Sequence, residues 1–173
     1  EPDLEGKITA ATRSGWQAVL AALVTLIAPP VQAQEGNPEG YRLVWNDEFS
    51  IDGLPDPTRW TYDVERNREG WYNNELQYYS ANRRENARVE GGRLVIEARR
   101  ERPDPATSSD SGGQGFTSAR LVSRGLAQWT YGFFEIRAKV PCGRGTWPAA
   151  WLLPAAEVNW PAGGELDILE HVG

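Results

Sequence analysis

Sulfur is almost absent from this chain of 173 residues, which has one cysteine, Cys142, and no methionine. A single thiol excludes an internal disulfide framework and any cysteine-built zinc site, because both need several thiols brought together by the fold. Histidine is as scarce. With His171 alone, a multi-histidine metal centre is excluded as well. Positive charge is in deficit: 18 Lys and Arg against 24 Asp and Glu give a net charge of −6, which opposes a phosphate backbone, so no nucleic-acid partner is expected. The lack of an initiator methionine carries the expectation that the polypeptide begins before Glu1.

A long apolar run is also missing. The stretch Ala18 to Ala28 (AVLAALVTLIA) falls short of the about 20 residues a membrane span needs, and Pro29-Pro30 ends any helix there. Lys7 and Arg13 precede it, and Val31-Gln32-Ala33 follows with small residues where a signal peptidase needs them. The pattern predicts a signal peptide over residues 1–33, cleaved before Gln34, with a short linker at 34–40 and a folded domain from Tyr41 to Gly173. A buried core helix or an uncleaved anchor competes with that reading. Export implies an extracellular or periplasmic protein with no membrane segment in its mature form, and a monomer is expected.

What the sequence does contain is alternation and tryptophan. In Phe133 to Val140, Phe134, Ile136, Ala138 and Val140 alternate with Glu135, Arg137 and Lys139, the period of a strand with one buried face. Arg93 to Arg99 repeats the pattern after Glu90-Gly91-Gly92, and Ser118 to Ser123 (SARLVS) is a third candidate strand. All are expected to be antiparallel. Arg102 to Gly115 is rich in proline, serine and glycine, which predicts a mobile surface loop. The length fits one domain, and strands separated by turn signals point to an all-β sandwich. Eight tryptophans suit both a core and the apolar faces of sugars.

The informative segment is Gly164-Glu165-Leu166-Asp167-Ile168-Leu169-Glu170-His171-Val172-Gly173. In a regular strand Glu165 and Asp167 share a face, while Glu170, an odd number of positions on, points the other way. A one-residue bulge at Ile168-Leu169 would return Glu170 to that face and bury Leu166 behind it. Three like charges on one face repel and raise at least one pKa, which is costly unless a cation or a function compensates. Glycosidic hydrolysis is such a function, since it needs one ionised carboxylate and one protonated acid. A solvated acidic face and a calcium site remain the competing readings.

These residues resemble the ExDxxE signature of glycoside hydrolase family 16, in the bulged form of its laminarinase-like β-1,3-glucanases. The likeness extends in order through Leu43 to Phe49, Asn74 to Tyr79, Ser118 to Leu121, Tyr131 to Arg137 and Gly145 to Trp151. It implies a β-jelly roll of two curved antiparallel sheets with a substrate cleft on the concave face. It also implies a domain that continues past the acid motif, so residues 41–173 are expected to be its N-terminal part. Glu165 is then the nucleophile, Glu170 the general acid/base and Asp167 the residue that tunes them, in a retaining endo-β-1,3-glucanase acting on laminarin-like or mixed-linkage β-glucans. The alternatives are a β-glucan recognition module without catalysis and a family hydrolase or transglycosylase acting on another polysaccharide.

The surroundings carry two readings each. Trp147 and Trp151 share a strand face and Trp160 precedes Glu165 closely, so the three are candidates for the floor of sugar subsites, with core packing as the rival. Asn74 and Arg120 match family positions facing the cleft, Arg120 alternatively pairing with a buried acid. His171 is a hydrogen-bonding neighbour rather than a catalytic base, as no G-x-S-x-G elbow accompanies it. Trp45, Trp60 and Trp129 read as core. The resemblance implies no cofactor for catalysis, and a structural calcium ion only in the complete domain, bound near Asp47-Glu48 and Gly91-Gly92.

Overall fold

The computed structural model of the protein describes residues 38–156 and 158–173; the segment expected to be a signal peptide and most of the expected linker lie outside the described residues. Within them the secondary structure is almost wholly β. Eight short strands follow in order: β1 (Thr61–Tyr62), β2 (Gln77–Tyr79), β3 (Ala87–Val89), β4 (Leu94–Ile96), β5 (Phe116–Ser118), β6 (Leu121–Val122), β7 (Ala149–Leu152) and β8 (Leu166–Glu170). A 3-10 turn at Tyr72–Asn74 is the one helical element among them.

Pairing is antiparallel for β1 with β6, β3 with β4 and β7 with β8. β2 and β5, however, run parallel, Tyr78 opposite Thr117, which corrects the expectation of antiparallel strands throughout. The β3–β4 hairpin lies between them in sequence, and Arg99, just beyond β4, bridges Thr117 on the other side of β5. The chain therefore returns to β5 after an even number of strands and meets β2 in the same direction.

SARLVS is not one strand. It breaks at Ala119-Arg120 because its two ends take different partners, Ser118 against β2 and Leu121 against β1, and the Arg120 carbonyl accepts from the Asp63 N–H at 3.0 Å in between. Phe133 to Val140 alternates as a strand should, yet no strand forms there: no neighbouring backbone hydrogen-bonds to it among the described residues, and Phe133 and Ile136 stay about half exposed, at 55% and 50%. Alternation supplies a face, but a strand also needs a ladder.

Polar clasps hold the long connections. Asn67 is fully buried. Its Nδ2 donates to the Tyr79 carbonyl and to Asp110 Oδ2, and its Oδ1 accepts from the Tyr79 N–H and from Trp71 Nε1. Tyr78 donates its hydroxyl to Asp110 Oδ1 at 2.7 Å, and Gln114 reaches the Asn67 carbonyl. The loop Arg102 to Gly115 is thus pinned to β2 rather than free, with Pro103 and Ser108 buried. A second clasp centres on Asn86, also fully buried, whose Nδ2 donates to the Glu97 carbonyl and to Thr117 Oγ1. Arg83 Nη1 donates to Asn86 Oδ1 and Glu101 Oε1, both at 2.6 Å. An aromatic cluster packs elsewhere, Trp45 meeting Trp60 and Trp129 edge-on at 5.4 and 5.5 Å, although all three expected core tryptophans are half-buried rather than buried.

Two outcomes follow from the clasps. Asn67→Ala strips the Tyr79 amide and carbonyl and the Trp71 indole of partners, so stability should fall by about 3 kcal/mol; urea unfolding of the full-length polypeptide measures it, and a loss under about 1 kcal/mol would contradict the clasp. The Arg83 and Thr117 hydrogen bonds hold the Glu101 carboxyl down at about 2, from an ordinary 4.5. The unfolded chain therefore takes up that proton at higher pH than the folded one, and acid favours unfolding. Stability supplied by Glu101 should be complete above about pH 4.5 and lost as pH falls toward 2, and Glu101→Gln should flatten the acid limb of the Tm-against-pH curve in that window.

Candidate active site

The acid-bearing strand is positioned by β7. Ala149 pairs with Glu170 and Ala150 with Leu169, but Trp151 pairs with Asp167, so Ile168 has no partner and forms a one-residue bulge. Paired residues project to the same face, and Ala149 and Trp151 share one because they are two apart. Glu170 and Asp167 therefore lie on one face with Trp151, and Glu165 joins them by alternation. The bulge stands where the spacing of the acids placed it. Pairing continues past the strand ends: the His171 N–H donates to the Pro148 carbonyl at 3.1 Å and the Gly173 N–H to that of Thr146 at 3.0 Å.

Two indoles complete the acids. Trp147 Nε1 donates to Glu170 Oε1 at 2.7 Å and Trp160 Nε1 to Glu165 Oε2 at 3.0 Å. Each outer carboxylate is thus held by a tryptophan that presents its ring beside it, Trp147 44% and Trp160 73% exposed. Gly164, with φ +77°, makes the turn that delivers Glu165, a conformation side-chain-bearing residues rarely adopt. Behind the acids the expectation of a buried Leu166 is not met, since its side chain is 68% exposed and no described element covers that face.

Arg120 links this hairpin to the rest of the domain. Its guanidinium carbon lies 4.7 Å from the Trp151 ring and 5.1 Å from that of Trp71, within cation–π range of both. Its Nε is 3.2 Å from Oδ2 of buried Asp63. Pairing with a buried acid is therefore realised as an ion pair, in which the buried Nε makes no hydrogen bond to a described residue. Tyr79 packs edge-on against Trp71 at 4.7 Å and donates its hydroxyl to Glu75 at 3.2 Å. Burial, with the Glu75 carboxylate adding to it, pushes the Tyr79 hydroxyl far above the usual phenol range, so it stays a donor.

The structure thus brings together Glu165, Asp167, Glu170, Trp147, Trp151, Trp160 and Arg120. His171 contributes its backbone N–H, and alternation turns its side chain from the acid face. Asn74 is exposed, with a positive φ of 59°, and makes no side-chain hydrogen bond among the described residues. Sequence reading missed Asp63 and Trp71. A tryptophan three residues before the Asn74 to Tyr79 motif was a usable signal for the second; a lone aspartate gave none. The cation-site reading of the three acids gains no support, since no described group of three or more His, Cys, Asp or Glu side chains could hold a metal ion. At the segment suggested for calcium in the complete domain, Asp47 Oδ1 accepts from the Phe49 N–H and Oδ2 from Trp60 Nε1.

Residues 75–173 match the family model described as XgeA-like, catalytic GH16 domain, and the chain belongs to glycoside hydrolase family 16. It is 56% identical over 137 residues to a β-glucanase of Rhodothermus marinus, covering 77% of this chain and 44% of that protein. It is 44% identical to a glucan endo-1,3-β-glucosidase of Cryptopygus antarcticus, covering 76% and 46%. The crystal structure of SCLam, a non-specific endo-β-1,3(4)-glucanase from family GH16, superposes with a TM-score of 0.73 at 54% identity, over 79% of this chain and 50% of that one. The likeness establishes the all-β jelly-roll class, and the chain spans about half the length of these relatives.

Because side chains alternate with a period of two, deleting Ile168 should leave Glu165, Asp167 and Glu170 on one face of a regular β7–β8 ladder. A crystal structure of the full-length deletion variant checks this; Glu170 turned to the opposite face from Asp167 would refute the bulge as the device that compensates the odd spacing.

Proposed function

We propose that the protein is a secreted, retaining endo-β-1,3-glucanase that cuts internal bonds of laminarin-like or mixed-linkage β-glucans without a cofactor. The observation that carries this reading is the bulge at Ile168, which sets Glu165, Asp167 and Glu170 on one face, beside indoles suited to the apolar faces of sugar rings. Glu165 attacks the anomeric carbon as the glycosidic C–O bond breaks, and Glu170 gives its proton to the departing oxygen. Glu170 then takes a proton from water, whose oxygen displaces the Glu165 ester and restores both carboxyls. Asp167 lies between them on the same face and helps to orient them. The Trp147 and Trp160 indoles fix the rotamers of the two outer acids. Export is supported by the basic flank, apolar run and small residues that end at Ala33.

Glu165→Gln in the full-length polypeptide should reduce release of reducing ends from laminarin by at least about 10³-fold while glucan binding persists, since the nucleophile is lost with little change of shape. Undiminished turnover would sink the assignment. Wild-type protein that binds laminarin and yields no new reducing ends would favour a recognition module, and cleavage of a different polysaccharide in a panel would move the substrate. The anomer released first, followed by NMR, reports retention.

A further inference from the structure

Asp63 stands in none of the motifs that point to the site, yet it is the one described carboxylate in contact with Arg120. Its side chain is 6% exposed and anchored on several sides. The backbone N–H donates to the Arg120 carbonyl at 3.0 Å. Oδ1 accepts from the Glu65 N–H at 3.4 Å, and Oδ2 lies 3.2 Å from Arg120 Nε and 3.8 Å from Arg124 Nη2. A carboxylate gripped this way has little freedom, and neither does the guanidinium it holds, with Trp71 and Trp151 against its plane.

Arginine carries five N–H donors, and here the contact with Asp63 is an ion pair, Nε at 3.2 Å from Oδ2 without a hydrogen bond, which restrains the guanidinium and leaves its donors to a ligand. The guanidinium lies over the ring of Trp151, which shares a face with Asp167. We propose that Asp63 is a positioning residue: it fixes Arg120 so that the two terminal amino groups donate to hydroxyls of a glucan chain held across the carboxylates. The proposal rests on the glucanase reading above. A fixed fork binds a hydroxyl pair with little entropy left to lose, whereas an arginine released from Asp63 would swing on its stem and be drawn toward the three acids.

The test measures laminarin hydrolysis by the full-length polypeptide as wild type, Asp63→Asn, Asp63→Glu, Arg120→Met and the pair Asp63→Asn with Arg120→Met. Asp63→Asn should raise KM about tenfold with kcat within about twofold, the sign of lost binding rather than lost chemistry. Asp63→Glu keeps the charge on a longer stem and should raise KM about threefold. The pair should be no worse than Arg120→Met alone, because Asp63 acts through Arg120. An unchanged KM in folded Asp63→Asn, or effects that multiply in the pair, overturns the proposal. Should Asp63→Asn fail to fold, Asp63→Glu decides, and a wild-type KM there overturns it. Wild-type protein that releases no reducing ends sinks the glucanase reading itself, and this proposal with it.

Discussion

The planar cation of Arg120, held by a buried carboxylate and faced by two indoles, is the joint on which the arrangement depends. On one side Trp71 is tied through its indole N–H to Asn67 and hence to β2 and the loop that carries Asp110. On the other, Trp151 belongs to β7 and faces Asp167 across the ladder. Burying a charge is costly without a partner, and breaking one partner of such a pair leaves the other exposed to the full penalty. Asp63 and Arg120 therefore stand or fall together, and with them one contact between the body of the domain and β7.

Local backbone geometry does the rest. The acids could not reach a common face from their odd spacing unless the ladder absorbed one residue, and Ile168 is the residue absorbed. The outer carboxylates, which have long side chains and many rotamers, are then restrained by indole donors that come from opposite sides, Trp147 before β7 and Trp160 in the connection to β8. Rings and acids are consequently ordered as one unit: the group that holds a carboxylate in place is also a surface on which a sugar can rest.

How much of this was legible in the sequence varied with the range of the interaction. The bulge could be counted from Glu165 to Glu170, because side-chain alternation is a local rule. The all-β class followed from the same rule. What alternation could not supply was a partner: Phe133 to Val140 has the pattern of a strand but no ladder, and SARLVS divides because its halves pair with strands far apart in the chain. The proline- and serine-rich loop read as mobile on composition, whereas Asp110 and Gln114 bind Asn67 from 43 and 47 positions away. Asp63 was silent for the same reason. Its role is defined by a residue that the fold, and not the sequence, brings beside it.

The Asn67 amide has a further consequence. Its oxygen and nitrogen close the Tyr79 N–H and C=O, the same two groups that an adjoining strand would claim. A single side chain thus occupies the outer margin of β2 at that point, so the margin offers no template there for a strand from another molecule, and self-association by strand addition is blocked at Tyr79 without any residue of like charge or proline being placed along it.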